Sequence, residues 1–163
     1  MLTQDELKSL LSYNRRTGVF KWRVSPCGNV KRWSVAGSLN EEGYRFIDIR
    51  GRTYRAHRLA WFYVTGKWPA EHLDHKNCDH DDNRFTNLRE ASLAQNNQNR
   101  VRPNTGNSSG VLGVSWDIRR QRWRAQIWVE GRSRSLGHFK HKTEARRAYL
   151  AAKRELHPFF AGV

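Results

Sequence analysis

The spacing of apolar residues changes period several times along the chain, and each change predicts an element. Residues 3–13 place Leu7, Leu10 and Leu11 at helical spacing behind Thr3, with Glu6 three residues after it, so a short capped amphipathic helix is expected. Arg15 to Gly18 reads as a turn into a strand over Val19–Val24, and residues 25–38 show no period. Tyr44–Ile49 alternates, Arg50-Gly51 suits a tight turn, and Thr53–Ala56 returns, which predicts a hairpin. His57–Thr65 offers Leu59, Ala60, Phe62 and Tyr63 for packing and predicts a helix ended by Gly66.

The run from Glu71 to Arg100 has the richest pattern. A short apolar run containing Leu73 ends in Asp74-His75. Twelve residues after His75, Asn87 opens a second short run with Leu88 and Arg89. Ser92 then suits a helix N-cap, with Gln95 completing a capping box, and Asn96 falls within the first turn and a half. The expectation is strand, loop, strand, helix. Residues 101–110, rich in Pro, Gly, Ser and Asn, read as a linker. Three strand-like segments follow, at 113–116, 123–129 and 133–139. The last predicted element is a helix capped by Thr143, with Ala145, Ala148, Tyr149, Ala152 and Leu156 on one face and His157-Pro158 as its stop. The predicted fold class is α+β, with one domain over 1–100 (motif core 71–100), the linker 101–110, and a second domain over 111–163.

Composition narrows the function. The 163 residues carry 30 Lys and Arg against 15 Asp and Glu, a net charge of +15, which calls for a polyanionic partner whose counterions are released on binding. Residues 101–163 hold 13 of the cations against 4 acids. No apolar run is long enough for a membrane span, no amphipathic helix with a large apolar face suggests a membrane surface, and the N-terminus lacks a secretory pattern. Cys27 and Cys78 do not form a disulfide framework, and Cys78 with His80 lacks the second ligand pair that zinc needs.

The chemistry of 71–100 suits phosphodiester hydrolysis. A histidine can take a proton from water near neutral pH. A carboxylate and an amide carbonyl are hard oxygen donors fit for Mg²⁺, which keeps waters and shares its sphere with phosphate. Asp74-His75, Asn77, Asp82-Asn83-Arg84, Asn87-Leu88-Arg89 and Asn96 to Asn99 resemble the HNH nuclease motif of phage and intron-encoded homing endonucleases. The resemblance implies a ββα-metal core preceded by the N-terminal helix and hairpin. It implies His75 as general base, Asp74 and Asn96 as ligands of one Mg²⁺ or Mn²⁺ ion per site, and Asn87 as structural support of the site. Ala56 to Trp61 also looks like what precedes this motif in such enzymes; His57 is expected to be structural, or at most a phosphate contact. Cys78 departs from the family, which often has glycine there, so a positive φ at that position would be strained.

The C-terminal segment is similar to the plant ethylene-response-factor (APETALA-type) DNA-binding domain. Gly113-Val114, Trp123-Arg124-Ala125, Leu136 to Phe139, Glu144-Ala145 and Ala148-Tyr149 carry that resemblance. It implies a three-stranded antiparallel sheet with one covering helix. Arg119, Arg120, Arg122 and Arg124, with Trp123, would then face double-stranded DNA, as would Arg132 and Arg134. The combined expectation is a site-preferring homing-type endonuclease leaving 5′-phosphate and 3′-hydroxyl ends. It would nick as a monomer, with a dimer as the other possibility, and act in the cytoplasm of a bacterial host as a phage product. The rival readings are a DNA-binding regulator with an inactive nuclease fold and a nonspecific HNH nuclease.

Overall fold

The computed structural model describes residues 2–162. Contacts divide the chain into two compact units, one ending at Leu93 and the other starting at Ala94. The first opens with helix α1 (Gln4–Leu10), where Thr3 Oγ1 accepts from Glu6 N and the Glu6 carboxylate accepts from Thr3 N. The helix is shorter than expected. Leu11 and Tyr13 flank Ser12 with a period of two, both are buried, and Leu11–Tyr13 forms strand β1 against β2 (Phe20–Trp22).

After an irregular stretch come β3 (Ser38–Leu39), β4 (Arg45–Ile49) and β5 (Arg52–Arg55), in that order across one antiparallel sheet. Arg50 and Gly51 sit at φ 50° and 74°, the double positive φ of a two-residue hairpin turn. Helix α2 (Ala56–Thr65) ends where Gly66, at φ 74°, donates its N–H to Phe62 O. Its inward face buries Leu59, Ala60 and Phe62 in one core with Leu7, Leu11, Phe20 and Ile47. Each such large apolar side chain contributes about 2 kcal/mol when fully buried. Strand β6 (His72–His75), a 3-10 turn at Phe85–Asn87 and strand β7 (Leu88–Ala91) complete the unit as an antiparallel hairpin.

Helix α3 (Leu93–Asn99) follows directly after Ser92, and from Ala94 on its residues belong to the second unit. Buried Lys153 donates to Arg100 O, just past the end of α3, and buried Asn99 accepts from Ala161 N at 3.2 Å. Residues 101–110 also belong to this unit. Asn107 Nδ2 donates to Val111 O at 3.1 Å, Ser109 Oγ donates to Asn107 Oδ1 at 2.7 Å, and Lys142 Nζ reaches Ser109 O at 3.2 Å. Side-chain bonds of this kind order a stretch that has neither helix nor ladder. The two units therefore part at Leu93, ahead of the expected linker.

The rest of the second unit is β8 (Val114–Asp117), β9 (Arg122–Val129), β10 (Arg132–Phe139) and α4 (Lys142–Leu156), with β9 central in an antiparallel sheet. Helix α4 starts one residue ahead of Thr143, and the Glu144 carboxylate accepts from His141 N at 3.3 Å. Val114, Ala125, Ile127, Ala145 and Tyr149 form the buried core between sheet and helix. Gly113 is needed there: a Cβ would lie 2.1 Å from the Tyr149 ring. Among the described residues no helix is long and apolar enough to cross a membrane.

Candidate active site and nucleic-acid interface

Asp74 and His75 are consecutive on β6, so their side chains leave opposite faces of the hairpin. Both are buried. Asp74 lies across from Arg89 in the register, and its Oδ2 accepts from Arg89 Nε at 2.8 Å and pairs with Nη2 at 2.7 Å. Both contacts fall on the one oxygen Oδ2 and hold it toward the guanidinium. His75 enters a group of rings: His57 edge-on at 5.0 Å, His80 at 5.8 Å and Tyr44 at 6.0 Å between centroids. Tyr44 and His80 stack at 4.0 Å and 8°. His75 Nε2 is 3.4 Å from Asn83 Oδ1.

Burial keeps His75 and His57 neutral. The His75 imidazole titrates below its ordinary range, chiefly by desolvation and then against the opposing pull of Asn83. His57 is pushed down to about 3, first by burial and then by the positive charges His75, Arg55 and Arg58 would bring near it. Tyr44 is raised, again first by burial.

The loop between the strands is closed by amides. Asn87 Nδ2 donates to Asn77 Oδ1 at 2.9 Å and to Asp82 O at 2.8 Å, while Asn87 Oδ1 accepts from Asn77 N at 3.2 Å. Asn77 Nδ2 donates to Asp82 Oδ2 at 2.7 Å. The rest of the first unit clamps the loop from outside. Arg45 donates twice to Asp81 at 2.8 Å, and Tyr13 Oη donates to Asn83 O at 2.7 Å. Gly18, at φ 75°, lies so close that a Cβ would be 2.5 Å from Arg84 N. Cys78 does occupy the left-handed region, at φ 59°, where its N–H donates to His75 O at 2.9 Å. Asp74, His75 and Asn87 thus share one hairpin and its loop. Asn96 lies on α3, in the portion that belongs to the second unit.

On the three-stranded sheet the register sorts the expected DNA contacts onto two faces. Trp123 pairs with Trp116 and Phe139 and has the same parity as buried Ala125 and Ile127. It packs on the α4 side, with Trp116 edge-on at 5.1 Å and Lys142 Nζ 5.4 Å from its ring. The expectation that Trp123 shares a face with Arg122 and Arg124 is therefore corrected: side chains one residue apart on a strand point oppositely. Arg134 pairs with Ile127 and Arg132 with Val129, which places both on that same α4 side, although exposed. The open face carries Arg122, Arg124, Gln126 and Trp128, with Trp128 63% exposed. Arg119 and Arg120 belong to the β8–β9 turn, where their N–H groups donate to Asp117 Oδ1 at 3.0 and 3.1 Å. Asp117 is held below the usual carboxylate range, first by the Arg120 backbone bond.

Two groups of residues went unassigned in the sequence. Gln126 and Trp128 were legible there, because 122, 124, 126 and 128 share one parity. Tyr44 and His80 carry no such signal, since only the fold brings β4 and the loop to His75.

A protein-family model described as HNH endonuclease matches residues 54–98, and one described as AP2 domain matches residues 109–157. "Protein 3.8" of Escherichia phage T7 is 32% identical over 113 residues, which span 66% of this chain and 88% of that protein. No solved structure matches the chain.

Proposed function

Because this chain belongs to the HNH endonucleases and carries an AP2 domain behind its nuclease motif, we propose that it is a metal-dependent, site-preferring DNA endonuclease of the homing type. The observation that carries this reading is the buried, neutral His75 beside Asp74 on β6, with the following loop fixed by Asn87. A neutral imidazole is a proton acceptor, so His75 is assigned as general base, taking a proton from the water that attacks phosphorus. The bond to the 3′ oxygen breaks, giving 5′-phosphate and 3′-hydroxyl ends. Asn87 keeps the loop in place and so holds His75 and Asn83 in register.

HNH nucleases generally depend on a divalent metal. By the resemblance to HNH nucleases Asp74 and Asn96 would be its protein ligands, and each by itself is a hard oxygen donor: Asp74 a carboxylate with one oxygen oriented by Arg89, Asn96 a neutral amide oxygen. Among the described residues no cluster of three or more His, Cys, Asp or Glu side chains is placed to hold a metal. Mg²⁺ or Mn²⁺ does not require one, since waters and substrate phosphate fill the remaining positions. When bound, one such ion supplies positive charge to the phosphate and the leaving oxygen. The open sheet face, with Arg122, Arg124, Gln126 and Trp128, is assigned to the DNA duplex and Arg119 and Arg120 to its backbone.

Supercoiled plasmid incubated with the protein and Mg²⁺, or with EDTA, tests the reading. With one site per chain, nicked circles accumulate before linear molecules at discrete positions, and only with metal. His75→Ala loses cleavage by a factor of roughly 10²–10⁴ while DNA affinity stays within about twofold. Cleavage at the parent rate by that variant rules out His75 as the base.

A further inference from the structure

Residues 14–40 contain Arg15, Arg16, Lys21, Arg23, Lys31 and Arg32 and no acidic residue at all. They precede both the nuclease motif and the AP2 domain. Within them the turn at Lys31–Ser34 presents Trp33 half-exposed, at 50%, rather than in the core. Val24 (41%) and Val35 (51%) of the same segment are exposed as well. The Arg32 guanidinium lies 5.3 Å from the centre of the Trp33 ring. Trp33 also has a φ of 67°, a left-handed conformation that a bulky aromatic rarely adopts.

That conformation is held by a dense set of bonds. Trp33 N donates to Trp22 O at 2.6 Å, Trp22 N donates to Ser34 O at 3.0 Å, and both Ser34 N and Ser34 Oγ donate to Lys31 O, at 3.2 and 2.6 Å. Ser25 Oγ braces the neighbouring loop through Cys27 O and Val30 O. An exposed aromatic kept in a strained conformation by its surroundings, with an arginine over its ring and in a segment whose only charged residues are cations, has a use when a ligand meets it. The ligand must be polyanionic and must offer flat or apolar surface between its charges. Nucleic acid meets both requirements, with phosphates for the cations and sugars or base steps for the ring.

We propose that the Lys31–Trp33 turn is a second DNA contact, carried by the first unit and independent of the three-stranded sheet. Lys31 and Arg32 hold phosphates, and Trp33 packs against the sugar edge or wedges at a base step of the duplex.

The test is fluorescence anisotropy of the full chain on a labelled 30-base-pair duplex in EDTA, across a salt series, so that binding is read without cleavage. Trp33→Gly removes the ring without changing charge and relaxes the positive φ, so folding is retained. It is expected to weaken binding five- to tenfold, with Trp33→Phe recovering most of the loss. Lys31→Ala/Arg32→Ala, both at exposed positions, lowers the salt slope by about 0.9 for each phosphate that is no longer neutralised. Hydroxyl-radical footprints of Trp33→Gly lose protection on one flank only. Parent-like affinity, slope and footprint in both variants overturns the proposal, whatever the fate of His75 in the nicking assay.

Discussion

At the scale of single residues, the cost of the candidate site is concentrated in His57. The ring is 4% exposed, its Nδ1 has no hydrogen-bond partner among the described residues, and its titration is pushed from 6.5 down to about 3. The sign of its pH effect follows. Between pH 6.5 and about 3 the unfolded chain binds a proton at this position and the folded chain does not, so folding stability falls as pH falls through that window and is unaffected above it. The loss approaches about 1.4 kcal/mol for each pH unit, and His75, shifted in the same direction, adds to it. Urea unfolding midpoints at pH 7, 5.5 and 4.5 should therefore decline, and His57→Phe should decline less steeply. An equal decline in that variant would place the proton uptake elsewhere. The same residue shows what a sequence conceals. A histidine followed by Arg58-Leu59-Ala60-Trp61 reads as one more helix residue, and only the fold brings its ring to 5.0 Å from His75.

Elements matter here mainly as buttresses of one loop. The β1–β2 hairpin has no chemistry of its own, but its turn places Gly18 under the backbone of Asn83 and Arg84, and its strand supplies the Tyr13 hydroxyl to Asn83 O. Gly18→Ala must both enter a left-handed conformation and clear a backbone nitrogen 2.5 Å away, which costs on the order of 3 kcal/mol. A lowered urea midpoint together with slower nicking is the expected outcome; an unchanged midpoint would mean the turn yields freely. Strand, loop, strand and helix over 71–100 were legible because apolar runs, Asn87 and Ser92 mark their limits. The division of the chain was not. Glycine, serine and asparagine at 101–110 read as flexible, yet Asn107 and Ser109 make local bonds that tie the stretch down, and the contacts of Lys153 and Asn99 draw α3 into the second unit. Those contacts are long in sequence, and no local pattern reports them.

For the whole molecule the open question is whether DNA is held by total charge or by particular faces. A net charge of +15 guarantees attraction to any duplex and a steep salt dependence, but it carries no information about site. The sheet register allows the two contributions to be separated with equal changes of charge. Arg122 and Arg124 stand on the open face beside Gln126 and Trp128, whereas Arg132 and Arg134 pair with Val129 and Ile127 on the side of α4. Arg122→Ala/Arg124→Ala and Arg132→Ala/Arg134→Ala each remove two positive charges. If the open face meets the duplex, the first pair weakens binding by at least tenfold, since each arginine seated on a phosphate or base edge is worth roughly 1–3 kcal/mol. The second pair loses only long-range attraction, an effect that fades once added salt shortens the screening length to about 8 Å. The comparison belongs at 150 mM salt by anisotropy in EDTA. Equal losses for the two pairs would mean that net charge, and not the face built by β9, holds the DNA.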